Sequence, residues 1–220
     1  MTTLRTSTGP TRGQLEIQFE VDDEIAESGG WLVDYLNHSI HTGTLYQAGE
    51  TIQIGWMIAL LDHGALTEES PCLELWEPDF QTVPIQWQRG LNQTFRHLVL
   101  QSSVCESLQC EPMFPEIRSA GIVSPSFPHS QQFAMWREET SGSDSGWMFD
   151  HFTQDSSQGE FQSLYHIVLA KPEIVPFLAL PVGSLITWNE IGVVVQLEEK
   201  RISSSDAPVL DGWFRKHTSA

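Results

Sequence analysis

Hydrophobic period changes several times along the chain. From Gln14 to Val21 the run QLEIQFEV alternates, with Leu15, Ile17, Phe19 and Val21 on one side, which predicts a half-buried strand. Trp31, Leu32, Tyr35, Leu36 and Ile40 then recur at helical spacing, predicting a helix capped by Ser28 and broken by Gly43. Alternation returns at Ile52, Ile54 and Trp56. A strand is therefore expected over Thr51 to Leu61, with a turn at Asp62-His63-Gly64. Cys72 to Glu77 predicts a second strand stopped by Pro78-Asp79, and Val83 to Trp87 a third. A long helix is expected from Gly90, because Leu91, Phe95, Leu98, Ser102, Cys105 and Leu108 form one stripe.

Pro112 and Pro115 end this pattern, and the run QCEPMFPEIRS reads as a domain boundary. Beyond it, short strands are expected at Ala120 to Ser124, Phe133 to Glu138 and Trp147 to Phe152. The acidic and flexible run EETSGSDSG lies between the last two, so it reads as a hairpin connection. A short element at Leu164 to Leu169 leads to a short helix with Pro172 in its first turn. Pro181 to Ser184 is a turn, and Leu185 to Trp188 pairs with Val193 to Leu197. The fold class expected is α+β, with two small domains. Each has a mainly antiparallel sheet and one or two packed helices. The boundaries read are a disordered tail over 1–13, a first domain over 14–112, a second over 116–200 and a polar tail over 201–220, where Trp213-Phe214 is the segment able to dock.

Charge changes the picture more than composition does. The 220 residues include 29 acidic and 11 basic side chains, a net charge of −18. Split at Pro115, the first part has 4 basic and 16 acidic residues, net −12, and the rest has 7 and 13, net −6. Such a field repels nucleic acid and anionic membranes and steers a cationic partner. No apolar run reaches the ~20 residues that span a bilayer, and the first residues lack the apolar core of a signal peptide. With three cysteines and no CxxC pair, a cytoplasmic protein is expected.

Candidate chemistry is sparse. Asp34, His38 and His41 would share a helical face, but no HExxH or cysteine accompanies them, and they read as polar surface; no metal and no cofactor is expected. Ser145 lacks the GxSxG elbow, and neither phosphate-loop glycine pattern occurs. A non-enzymatic protein is therefore expected. Arg89 and Arg96 read as neutralising nearby acids. Glu138, Glu139 and Asp144, beside Trp136, make the strongest candidate contact surface: acids at a loop next to an aromatic anchor.

Four segments follow one another in the second half: GIVS at 121–124, MWREE at 135–139, DSGWMF at 144–149 and KPEIVPFLALPVGSLI at 171–186. In this order they resemble the bacterial immunity-protein family numbered thirty-three, over about residues 118–190. The resemblance implies a small α+β domain in proteins that neutralise delivered bacterial toxins. It carries no catalytic residue. Ser145, Gly146, Trp147, Pro181 and Gly183 transfer as motif residues with a structural role, Gly146 permitting the turn and Trp147 filling the core. The function expected is a cytosolic immunity protein that binds a toxin, with no nucleic-acid or membrane partner. The alternative is an adaptor or chaperone-like protein of a secretion pathway.

Overall fold

The structure, a computed structural model, describes residues 1–7, 13–67, 70–151 and 159–218. Residues 8–12 of the expected tail, Phe152 of the expected strand and the last two residues lie outside these. The chain divides into two compact units, Met1–Arg96 and His97–Ala220. Both combine helices with strands, an α+β class.

The first unit is a six-stranded mixed sheet. It comprises β1 (Thr2–Arg5), β2 (Ile17–Val21), β3 (Thr51–Ile54), β4 (Met57–Thr67), β5 (Ser70–Asp79) and β6 (Gln86–Arg89), ordered β1-β2-β5-β4-β3 with β6 also on β5. Cys72 and Leu73 of β5 point to opposite faces of the sheet and both are buried, so neither face is open to water there. Helix α1 (Gly30–His41) buries Leu32, Leu36 and Ile40, one residue per turn. Helix α2 (Asn92–Ser107) begins in this unit, and the division falls within it. Its first turn is capped from β5. The buried Glu77 carboxylate accepts from the Gln93 and Thr94 amides at 3.0 and 2.7 Å. Arg89 pairs with Glu74 at 2.6 Å and Arg96 with Asp22 at 2.7 Å.

Among its described residues the second unit has seven strands: β7 (Ala120–Val123), β8 (Phe133–Arg137), β9 (Asp144–His151), β10 (Glu160–Ser163), β11 (Ser184–Asn189), β12 (Gly192–Leu197) and β13 (Lys200–Ser203). Their order is β10-β7-β9-β8-β11-β12-β13, antiparallel except where β7 meets β9. Buried aromatic rings fill the inner face. Phe127 lies 5.2 Å from Phe133, which stacks on Trp188 at 5.6 Å. Helix α3 (Leu164–Ala170) and a 3-10 segment over Pro172–Phe177 add Leu164, Ile167, Ile174 and Phe177 to the core.

Several expectations change. Thr2–Arg5, read as tail, is an edge strand held by β2 through four residue pairs. Asp62-His63-Gly64 is not a turn but the middle of β4, paired with Glu74, Leu73 and Cys72. The turn comes earlier, at Gly55 (φ 61°) and Trp56, between β3 and β4. Strand β5 runs on through Pro78, which pairs with Trp87. Trp31 and Tyr35 lie on the exposed side of α1, and Gly29, not Ser28, precedes its first turn. The C-terminal segment read as loose forms helix α4 (Pro208–Thr218), which buries Leu210. Phe214 of α4 lies 5.1 Å from Trp188, and the Trp213 indole donates to the Glu173 carbonyl at 3.0 Å.

One titration follows from this packing. Burial, with a smaller contribution from the Lys216 ammonium, pushes the His97 imidazole from 6.5 down to about 4. Between those two values the unfolded chain binds a proton that the folded chain does not. Stability is therefore complete above pH 6.5 and falls as the pH drops toward 4, by up to about 3 kcal/mol from this group. His97→Gln is expected to flatten that slope, and the imidazole NMR signals that vanish with it should titrate near 4. A midpoint near 6.5 would show that the ring is hydrated.

Candidate functional site

The hairpin β8–β9 carries the candidate residues. Alternation puts Phe133, Met135 and Arg137 on the inner side of β8, with Trp147 and Phe149 opposite on β9. Arg137 pairs with Trp147, and residues 138–143 connect the strands. The connection is closed by local bonds. The Glu138 amide donates to the Gly146 carbonyl at 2.9 Å, and the Gly146 amide to the Asp144 carboxylate at 2.9 Å. Gly146 has φ +78°, and a Cβ there would stand 2.2 Å from the Glu138 carbonyl oxygen. Only glycine satisfies both constraints.

A buried arginine ties this hairpin to the rest of the unit. The guanidinium of Arg137 donates to the carbonyls of Ser145 at 3.0 Å, Met113 at 2.6 Å and Leu180 at 2.7 Å, and lies 5.7 Å from the centre of the Trp147 ring. Among the described residues no carboxylate pairs with it. Burial lowers its pKa, yet an arginine stays charged at any physiological pH. Among the described residues, backbone carbonyl dipoles and the face of the Trp147 ring balance this cation.

One of its three acceptors, Leu180, belongs to a short stretch whose other carbonyls receive further donors. Leu178 accepts from the Trp147 indole at 3.1 Å, Ala179 from the Met113 amide at 2.7 Å, and Val175 from the Gln101 amide group at 2.9 Å. The stretch ends at a turn after Pro181, where the Gly183 amide (φ +87°) donates to the Arg137 carbonyl at 2.8 Å. Ser145 adds a bond from its hydroxyl to the Ala120 carbonyl at 2.7 Å and accepts from the Trp147 amide at 3.2 Å. The motif segments thus meet as one hydrogen-bonded clasp around Arg137. Sequence reasoning missed Arg137 and Gln101. The signal for Arg137 was its inward parity in FAMWR, where a charge must find buried partners.

Glu138 and Glu139 are exposed on the connection, and Asp144 is half-buried, held in its own turn. Trp136 projects from the opposite face of β8 to Arg137, and its indole donates to the Glu138 carboxylate at 2.8 Å. Beside the loop a groove of ≈ 510 Å³ is lined by Glu116, Arg118, Arg137, Ser143 and Asp144. The second unit has 7 basic and 15 acidic residues, net −8. Two of those bases, Arg137 and Lys171, are buried, while none of its described carboxylates is, so the surface is more negative than the formal charge. No group of metal-ligating side chains assembles among the described residues, Asp34, His38 and His41 included. Among the same residues no helix is long and apolar enough to cross a membrane.

Residues 100–196 match the family model of the Imm33-like domain. The match takes in β7 to β11, nearly all of β12, and every residue of the Arg137 clasp. No curated protein and no solved structure matches the chain.

Proposed function

We propose that the chain is a non-enzymatic inhibitor, an immunity protein that binds and neutralises a bacterial toxin in the cytoplasm of the cell that makes it. The Imm33-like domain over residues 100–196 carries this reading. The charge supports it. Toxins that act on nucleic acid need a cationic surface to hold phosphates, and an acidic protein presents such a surface with a competing field. The contact residues proposed are Glu138, Glu139 and Asp144 with Trp136 beside them, while Ser145, Gly146, Trp147, Pro181 and Gly183 hold the hairpin that displays them.

The test uses the cytotoxic protein that tagged chain captures in the producing bacterium. Co-expression of the chain is expected to restore growth of cells expressing that protein. Glu138→Lys with Glu139→Lys is expected to weaken the complex by about 10- to 100-fold, mainly through slower association. Raising salt from ~0.1 M to ~0.5 M should weaken the parent complex in the same direction, because screening shortens the reach of these charges. Capture without rescue of growth would sink inhibition. Rescue untouched by the double charge reversal would remove the loop from the contact.

A further inference from the structure

The outward face of the second sheet carries an unbroken apolar row. Register fixes its members: Phe161 pairs with Ile122, Ile122 with Met148, Met148 with Trp136, and Trp136 with Leu185. Five adjacent strands each contribute one large apolar side chain at the same level. The row then passes into Gln196 and Arg201. Phe161 is 68% exposed and Leu185 39%, and the three between them are half-buried. An apolar row of this length, exposed at both ends and half-open between them, marks a contact surface.

Charge specifies what covers it. Asp150 lines the same depression of ≈ 190 Å³ as Ile122, Trp136 and Met148, and the Glu138 carboxylate is bonded to the Trp136 indole. Arg201 stands at the far end, two strands beyond Leu185. A second copy of this chain would bring carboxylates against carboxylates, with −18 on each side. A protein that sets an apolar side chain between lysines or arginines would fill the depression and meet both acids.

We infer that the row from Phe161 to Leu185 is a docking surface for a folded basic protein. It rests on the inhibitory reading only in taking that protein to be a toxin. Glu138 and Glu139 of the connection and Asp144 at the start of β9 then border this surface, and Trp136 joins the two.

The experiment places p-benzoylphenylalanine at Phe161 or at Leu185 of the full chain in the producing bacterium, with Ile191 (93% exposed) as control position. After irradiation, products are identified by mass. One basic protein is expected from Phe161 and Leu185 and absent from Ile191. Phe161→Ser with Leu185→Glu is then expected to weaken that complex at least about tenfold, as loss of two apolar contacts does, with an unchanged circular dichroism spectrum and urea midpoint. A product that is a second copy of the chain, an acidic protein, or one formed equally at Ile191 overturns the inference, as does no product at all. The two readings fail separately. A toxin still neutralised by the double variant sinks the docking face and leaves inhibition standing. A basic partner that docks here but is harmless to cells does the reverse.

Discussion

Replacing Arg137 with methionine is expected to cost the second unit at least about 4 kcal/mol, read as a fall in the urea midpoint with little change in slope. The side chain is 8% exposed, and its three carbonyl partners come from β9, from the segment ahead of β7 and from the stretch ahead of β11. Methionine fills most of the space but donates nothing. The buried Ser145 and Leu180 carbonyls and the part-buried Met113 carbonyl would then lose those donors, at about 1–3 kcal/mol each where water cannot enter. Such a sum is a large share of the 5–15 kcal/mol typical of a domain. Arg137→Lys separates charge from geometry. An ammonium keeps the charge but not the planar fork, so it should recover only part of the loss. A methionine variant within about 1 kcal/mol of the parent would mean that water already satisfies these carbonyls.

The second large effect is expected at Gly146. Alanine there meets two penalties: φ +78° and a Cβ 2.2 Å from the Glu138 carbonyl oxygen. The first costs about 1–2 kcal/mol for a residue with a side chain. The second cannot be relieved by a rotamer change, because the obstacle is backbone, so the β8–β9 connection must open. A loss of at least about 3 kcal/mol is expected, with the Trp147 fluorescence shifted toward that of a hydrated indole. Gly142 supplies the control. Its φ is +73° but nothing lies within 4 Å of a Cβ. Gly142→Ala should therefore show the backbone penalty alone. Equal losses at the two positions would mean that the carbonyl contact is absent in solution.

Elements with an unambiguous local period were legible in the sequence. The β8–β9 and β11–β12 pairs and helix α2 lie close to where alternation and the Leu91–Leu108 stripe put them. The Imm33-like match also encloses the span of the sequence resemblance. What local pattern could not show was set by distant partners. Thr2–Arg5 is polar and short, and becomes a strand only because β2 offers an edge. Asp62-His63-Gly64 has turn residues, yet Gly64 lies in a strand where a Cβ would come 2.3 Å from the Glu74 side chain. There glycine makes room for a neighbour instead of a bend. Helix α4 has an apolar stripe that means little until Trp188 lies beneath Phe214. The loop that holds Glu138, Glu139 and Asp144 was legible as a hairpin connection. The clasp beneath it was not, because nearly all of its acceptors are backbone carbonyls, which carry no side-chain signature.

That clasp also governs the order in which the chain can fold during synthesis. Gln101 waits for Val175, 74 residues later; Arg137 waits 43 residues for Leu180, and Trp147 waits 31 for Leu178. A nascent chain ending before Val175 has a β8–β9 hairpin whose arginine lacks one of its three carbonyl acceptors and whose Trp147 indole lacks its own. Such a piece gains less by collapsing, since burial would leave the charge short of an acceptor and the indole without one. The clasp therefore closes only when the stretch from Val175 to Leu180 has left the ribosome, and the sheet is complete only after β11, which pairs with β8, and then β12 and β13 have followed. Release of that short stretch acts as the latch of the clasp, and the β8–β9 hairpin has all its neighbours only once β11 has followed.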